Sequence, residues 1–600
     1  MRSVLVVLAL ALCTGCSYAT GSSRALLQSA PAPTLNPADL ASLSAVEANK
    51  LLCSRQITTV QYVTALLAQK AEWDCINAWA DSFNATLVLA DAKAIDDKAT
   101  AGGDIGPLCG LPLGVKDSID ALPYPTTAGT PALRNAVPPF EAPLVTQWRK
   151  QNGIIMGKTK LHELSGGSTC ASPAFGAVLN PYLPTRIVGG SSGGTGAALA
   201  ARMVPGSLCE DTAGSCRHPA ALTGGVGIRP SLNCYNFSDS LVPASFTRDT
   251  VGVQARTIED LILFDAALRS PNATTAVTGN SCAAPVDMNL SLQGVRIGMP
   301  MYYYNVSEQA LKPYWDKALA VLTNAGAELV PLDVDYLVKM ADSIGNGDPF
   351  QAPRELARYL YTHSYNLSVT QLYNQVSHPS IKANSLANMK TRIDVATPQA
   401  WIQFLAVDRP AYIKAANDLF ALQSVSALIL PTYVVSAPPI DQSEPLVWLN
   451  GALRNRISLT SHSGTALQTA ISVPIGLDAA GVPTGMQLIA PPGQDGYLMS
   501  LALAFEKALT AAGIVTPPPK APTCKGCGHA IIAQTPTYNS SQTTIPPLGG
   551  AASVFRIEFN GTCAPDVLNY GKTPISQGLN AGPPGLLADA AIAKPVSASG

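Results

Sequence analysis

Residues 189–220 read GGSSGGTGAALAARMVPGSLCEDTAGSCRHPA, two serine-bearing glycine turns on either side of a helix-forming run, AALAARMV. Gly189, Gly190, Gly193 and Gly194 permit positive φ and close backbone approach. Ser191, Ser192 and Ser215 are then hydroxyls on tight turns. The bland alternative is a flexible Gly-Ser linker. Linkers, however, do not place Asp211 and Arg217 around a serine, nor flow straight into a helix. Upstream, the apolar run CGLPLGV leads into Lys116, at what reads as a strand end.

These residue types suit acyl transfer. An amide carbonyl needs an activated nucleophile, a proton path and stabilisation of the oxyanion. Ser215 supplies a hydroxyl. Ser191 can relay a proton, because a hydroxyl both donates and accepts. Lys116 can be the terminal base only as the neutral amine, which burial favours. Asp211 and Arg217 suit holding the turn by hydrogen bonds better than reacting. A histidine-dependent alternative would use His218, but no G-x-S-x-G elbow surrounds Ser215. His162, in KLHELSGGST, reads as structural.

The run resembles the signature of the amidase signature family of serine hydrolases, which use a Ser–Ser–Lys triad. The resemblance implies Ser215 as nucleophile, Ser191 as bridging serine on a cis peptide after Gly190, and Lys116 as base. Both intervals, 116 to 191 and 191 to 215, agree with the family pattern. The turn of Thr212, Ala213, Gly214 and Ser215 resembles the family's oxyanion hole, with Ser192 and Gly190 close by. Cys209 and Cys216 depart from the pattern, standing where small and aliphatic residues are usual. The resemblance spans about residues 45–515 and implies an α/β fold with a mixed central sheet covered by helices on both faces. The phrases RDTVG, ARTIED and APRELARYL are most similar to the indoleacetamide and mandelamide hydrolase branch.

With a net charge of −1 and 13% charged residues, nothing in the composition suggests a nucleic-acid partner, which would need a basic face. No cofactor is implied, and the partner expected is a small-molecule amide. CKGCGH (524–529) resembles half a zinc site, but a disulfide or a plain loop fits it better, so no metal is expected. No oligomeric state is assigned.

The N-terminus, MRSVLVVLALALCTGCSYA, has Arg2, an apolar run from Val4 to Leu12 and then small residues. This is a secretory signal pattern, too short to span a membrane. Cleavage is expected near Ala19, with lipid attachment at Cys16 as the alternative. Sequons at Asn84, Asn236, Asn272, Asn289, Asn305, Asn366, Asn539 and Asn560 suggest N-glycosylation. Of 13 cysteines, all but Cys13 and Cys16 lie beyond the signal, an odd remainder that leaves at least one thiol unpaired within the chain. The expected organisation is a signal peptide over 1–19, a linker over 20–44, one domain over 45–515 and a Pro-, Ser- and Thr-rich extension over 516–600.

Apolar spacing predicts helices over 58–71, 310–323 and 497–510. β-rich runs lie at 153–158, 295–300, 327–332, 427–433 and 486–490. Strands interleaved with helices indicate a layered α/β fold. The helix-rich region 335–420 and the loops near 120–140 are expected to shape the substrate pocket. The leading reading is a secreted amidase. The competitors are an esterase or peptide-amide hydrolase on the same triad, a tRNA-dependent amidotransferase glutaminase subunit (disfavoured by the signal peptide), and a non-catalytic secreted binding protein.

Overall fold

The computed structural model describes residues 36–520, except 271, 280, 283–284, 345–347, 380, 384, 387–397 and 441–462, and adds 528–530 and 558–560. The expected signal peptide and the cysteines of CKGCGH lie outside the described residues. Within the span expected as a linker, 20–44, the residues before Asn36 lie outside the described ones. Pro37–Ser42 is a helix, because Asn36 caps it with a reciprocal Asp39 bond and Pro37 suits a first turn.

Ten strands form one sheet in the order β2-β1-β3-β5-β4-β9-β10-β8-β6-β7. They are β1 (Pro112–Lys116), β2 (Ile154–Thr159), β3 (Gly206–Asp211), β4 (Val226–Arg229), β5 (Thr250–Ala255), β6 (Arg296–Pro300), β7 (Glu328–Leu332), β8 (Ala427–Pro431), β9 (Thr469–Leu477) and β10 (Pro483–Ala490). β1 runs parallel to β2 and β3, and β6 runs parallel to β7 and β8. The central pairings, β3–β5–β4–β9–β10–β8, are antiparallel. The sheet is therefore mixed.

Successive side chains of a strand point to opposite faces, yet β3, β5 and β10 are buried at every position. Both faces must then be covered. The helices Arg217–Thr223 and Asp495–Ala511 both pack on β9 and β10, and Gly193–Ala200 packs on β1, β3 and β5. The predicted helices appear as Thr59–Glu72, Lys312–Asn324 and Asp495–Ala511. All five predicted β-rich runs are strands.

The region 335–420 is helical where described, with Asp335–Ile344, Asp348–Thr362, Val369–Gln375 and Arg409–Leu422 as its main helices. It joins the 120–140 loop through one apolar cluster that includes Ala128, Leu133, Leu356, Tyr359 and Leu372. A short antiparallel pair, Gly528–Ala530 with Glu558–Asn560, lies in the C-terminal extension. Among the described residues, no helix is long and apolar enough to cross a membrane.

Candidate active site

Because β1 and β3 are parallel neighbours, their C-terminal ends emerge at one edge of the sheet. That edge carries Lys116, the last residue of β1, and Glu210 and Asp211, the last two of β3. Beyond β3 the chain turns sharply through Thr212–Ser215 into the helix Arg217–Thr223. Gly214 takes φ 116°, a region that favours glycine. The GGSSGG loop arrives from the other side and opens the helix Gly193–Ala200.

The four loop glycines do not all serve the role expected of them. Only Gly189 adopts positive φ, at 81°. Gly194 is required for packing, since a Cβ there would lie 2.5 Å from the carbonyl oxygens of Ala78 and Lys160. A Cβ on Gly190 would lie 2.9 Å from the backbone of Ser168, and the Gly190–Ser191 peptide is cis.

The structure brings Lys116 and Ser191 together. Lys116 Nζ lies 2.7 Å from Ser191 Oγ, and both residues are wholly buried. Ser215 is 8% exposed, which makes it the outermost of the three. Its carbonyl accepts the Ser192 amide at 3.3 Å, tying the two serine turns together. The Ser192 hydroxyl donates to the Glu210 carbonyl at 3.3 Å.

Asp211 shapes the Thr212–Ser215 turn. It accepts from the amides of Gly214 at 2.8 Å and Cys216 at 3.2 Å, and from Arg217 at 2.9 and 3.0 Å. Burial alone would raise its carboxyl. Arg217, with Arg229 3.6 Å away, instead holds it well below the usual carboxylate range. Arg217 also reaches Ser463 and Gln487, so the turn is tied to β10. Of the four amides expected to face an oxyanion, that of Gly214 is directed to Asp211.

The histidines are placed as supports. The His162 amide donates to the Ser191 carbonyl at 2.9 Å, and its Nδ1 accepts from the Cys170 amide at 3.2 Å. Burial first, then His378 and Lys116, holds its imidazole well below the ordinary histidine range, in the neutral form. The His218 ring stands edge-on to Tyr433 at 5.3 Å, and its amide donates to the Gly214 carbonyl.

The two departures from the family pattern explain each other: Cys209 and Cys216 form a disulfide across the Thr212–Ser215 turn. Cys53–Cys109 and Cys234–Cys282 are also bridged, and Cys75 is disulfide-bonded. Among the described residues the free thiol is Cys170. It is buried, donates to the Ser191 carbonyl, and is pushed up to about 11 by that burial. No group of His, Cys, Asp and Glu able to hold a metal occurs among the described residues.

Sequence reasoning missed Glu210. Its carboxylate is fully buried and accepts from Lys116 at 2.8 Å, Ser118 at 3.1 Å, Ser165 at 2.6 Å and, on its other oxygen, Thr212 at 3.0 Å. The available signal was a second acid beside Asp211 at the end of GSLCED. A small hollow of about 20 Å³, lined by Phe237, Leu241, Phe246, Arg358 and Tyr359, lies beside Asp249, whose carboxylate accepts from Thr212.

A mixed α/β sheet here gathers a buried lysine and two serine turns at one edge, residue types that suit acyl transfer. The sequence model of the Amidase family matches residues 61–499. Mandelamide hydrolase of Pseudomonas putida is 30% identical over 489 residues, covering 79% of this chain and 92% of that one. Indoleacetamide hydrolase of Agrobacterium vitis is 30% identical over 426 residues, covering 70% and 87%. The peptide amidase of Stenotrophomonas maltophilia superposes with a TM-score of 0.67 at 24% identity, over 80% of this chain and 99% of that one, a likeness of fold. The chain belongs to the Amidase family and is an amide hydrolase.

Proposed function

We propose that the chain is a secreted amidase that cleaves small carboxylic amides through an acyl-enzyme on Ser215, with Ser191 and Lys116 as the proton relay. The observation that carries this reading is the 2.7 Å contact between the buried Lys116 amine and the Ser191 hydroxyl, behind the more exposed Ser215. The Ser215 hydroxyl proton passes to Ser191 as Oγ attacks the carbonyl carbon, and the Ser191 proton passes to neutral Lys116. Backbone amides of the Thr212–Ser215 turn face the developing oxyanion, Gly214 excepted. On collapse the C–N bond breaks, and the relay returns the proton to the leaving ammonia or amine. Water then clears the acyl group by the same route reversed.

An oxidising compartment is supported by the disulfides, by the signal-like N-terminus and by the sequons. The six sequon asparagines among the described residues, Asn84, Asn236, Asn272, Asn289, Asn305 and Asn366, are all exposed.

The test is ammonia release from indoleacetamide, mandelamide, benzamide, fatty acid amides and peptide amides by the secreted protein, its Ser215→Ala variant and its Lys116→Ala variant. Turnover lost in both variants supports the mechanism. Turnover retained in Lys116→Ala refutes it. Matched esters run alongside separate an amidase from an esterase, and a fluorophosphonate that fails to label Ser215 favours a binding protein.

A further inference from the structure

The relay as proposed ends on Lys116, but the structure does not end there. Behind the amine lies Glu210, and the two side chains have no solvent exposure at all. Lys116 Nζ is held between two oxygens, Ser191 Oγ at 2.7 Å and Glu210 Oε2 at 2.8 Å. This is the geometry of a base aimed by an orienting carboxylate. The chain continues: Thr212 Oγ1 lies 3.0 Å from Glu210 Oε1 and 2.6 Å from Asp249 Oδ1. One hydroxyl carries one proton. Both contacts are full hydrogen bonds only when one of the two carboxyls is itself protonated.

We propose that Glu210 is a positioning residue for Lys116, fixing the amine against Ser191 and stabilising the ammonium that forms when the Ser215 proton is passed inward. The assignment rests on the relay reading above. When the amine accepts the Ser191 proton, the ammonium that forms lies 2.8 Å from the Glu210 carboxyl, and no further proton moves. The attraction is therefore stronger in the transition state than in the resting state, which is what accelerates a reaction. In a dry site such a pair is worth much more than in water.

Other groups around Lys116 do not take this role. His162 and Cys170, from the segment after β2, are held neutral by burial. Asp117, the next residue along, is engaged by Lys158 at 3.2 Å and by Thr127. Asp249 is raised to about 7, first by burial and then by the charge of Glu210, so it favours the protonated form beside an ionised Glu210. Asp211 faces Arg217 and Arg229.

The test is the pH dependence of kcat and kcat/KM on the best amide substrate for wild type, Glu210→Gln, Ser165→Ala and Lys116→Ala. Glutamine keeps the size of the side chain and removes its charge. The plateau kcat of Glu210→Gln should fall by about a hundredfold with KM little changed. Its acid limb should move to lower pH by about one unit, because the charge that retains the proton on the amine is gone. A merely structural glutamate would lower the rate without moving the limb, and that result overturns the assignment, as does a wild-type profile.

Ser165 is half-buried and donates to Glu210 at 2.6 Å, so Ser165→Ala tests the same point if Glu210→Gln does not fold. Loss of that donor leaves the carboxylate more basic, and the limb should move to higher pH. An unmoved limb counts against Glu210. If Lys116→Ala turns over as wild type does, the relay fails and the Glu210 assignment with it. If Lys116→Ala is dead while Glu210→Gln is unaffected, the relay stands and only the Glu210 assignment is overturned.

Discussion

The disulfide across the Thr212–Ser215 turn separates two tasks, holding the folded turn and restricting the unfolded chain. Cys209 ends seven positions before Cys216, and both are wholly buried. A loop this short still removes unfolded-state entropy, about 2.5 kcal/mol on the chain-entropy scale. In the double variant Cys209→Ala/Cys216→Ala, two vacated sulfur positions add about 1 kcal/mol of lost packing. For a domain of this size the total lowers Tm by about 3–4 °C. The folded turn, however, has its own anchor. Asp211 binds the amides of Gly214 and Cys216 and the guanidinium of Arg217, and none of these bonds uses a sulfur atom. kcat of the double variant should thus stay within about twofold of wild type, since catalysis follows the geometry of the bound turn. Thermal unfolding and steady-state ammonia release on the same preparations measure both. An unchanged Tm would refute the entropic reasoning. A large fall in kcat at a temperature where the variant is fully folded would show that the disulfide, and not Asp211, shapes the turn.

The converse substitution, Asp211→Asn, removes the charge that faces buried Arg217 and Arg229 and should cost about 3–5 kcal/mol, with a fall in kcat that the cysteine variant lacks. Urea unfolding and turnover read these two effects. Acid should destabilise the fold through His378, whose imidazole burial depresses to about 4 against an ordinary 6.5. The unfolded chain takes up that proton first, so the stability is present above about 6.5 and is lost as pH falls towards 4, by at most about 3 kcal/mol. His378→Gln should flatten that slope in urea titrations between these pH values. Gly194→Ala should fail to accumulate as folded protein, because its Cβ would press on two backbone carbonyls. A soluble variant with wild-type Tm would refute that. Glycosidase treatment of the protein secreted from a eukaryotic host should lower its mass, and an unchanged mass refutes glycosylation.

How much of this was legible in the sequence depends on whether a feature is local. The serine turns, Lys116 at a strand end and the predicted helices are written in contiguous residues with turn chemistry or a 3.6 period, and the structure has them where the sequence places them. The interior strands β3, β4 and β5 stand outside the predicted β-rich runs: GSLCED carries two acids at its end, and VGIR is only four residues long. The helix Pro37–Ser42 falls within the span read as a linker, because six residues are too few to show a period. Its signal was the Asn36–Asp39 capping box.

Glu210 shows the limit most clearly. Next to Asp211 in sequence it reads as a second turn-holding acid, and no spacing rule connects it to a lysine on another strand. Only the parallel pairing of β1 and β3 brings the two strand ends to the same edge, and only β-strand alternation sends Glu210 and Asp211 to different partners: Lys116 for one, Arg217 for the other. The two acids of one dipeptide thus support two different parts of the site. Asp211 holds the Thr212–Ser215 turn, and Glu210 faces the Lys116 amine. A substitution at each should therefore move different observables: stability and turn geometry at Asp211, the acid limb of the rate profile at Glu210.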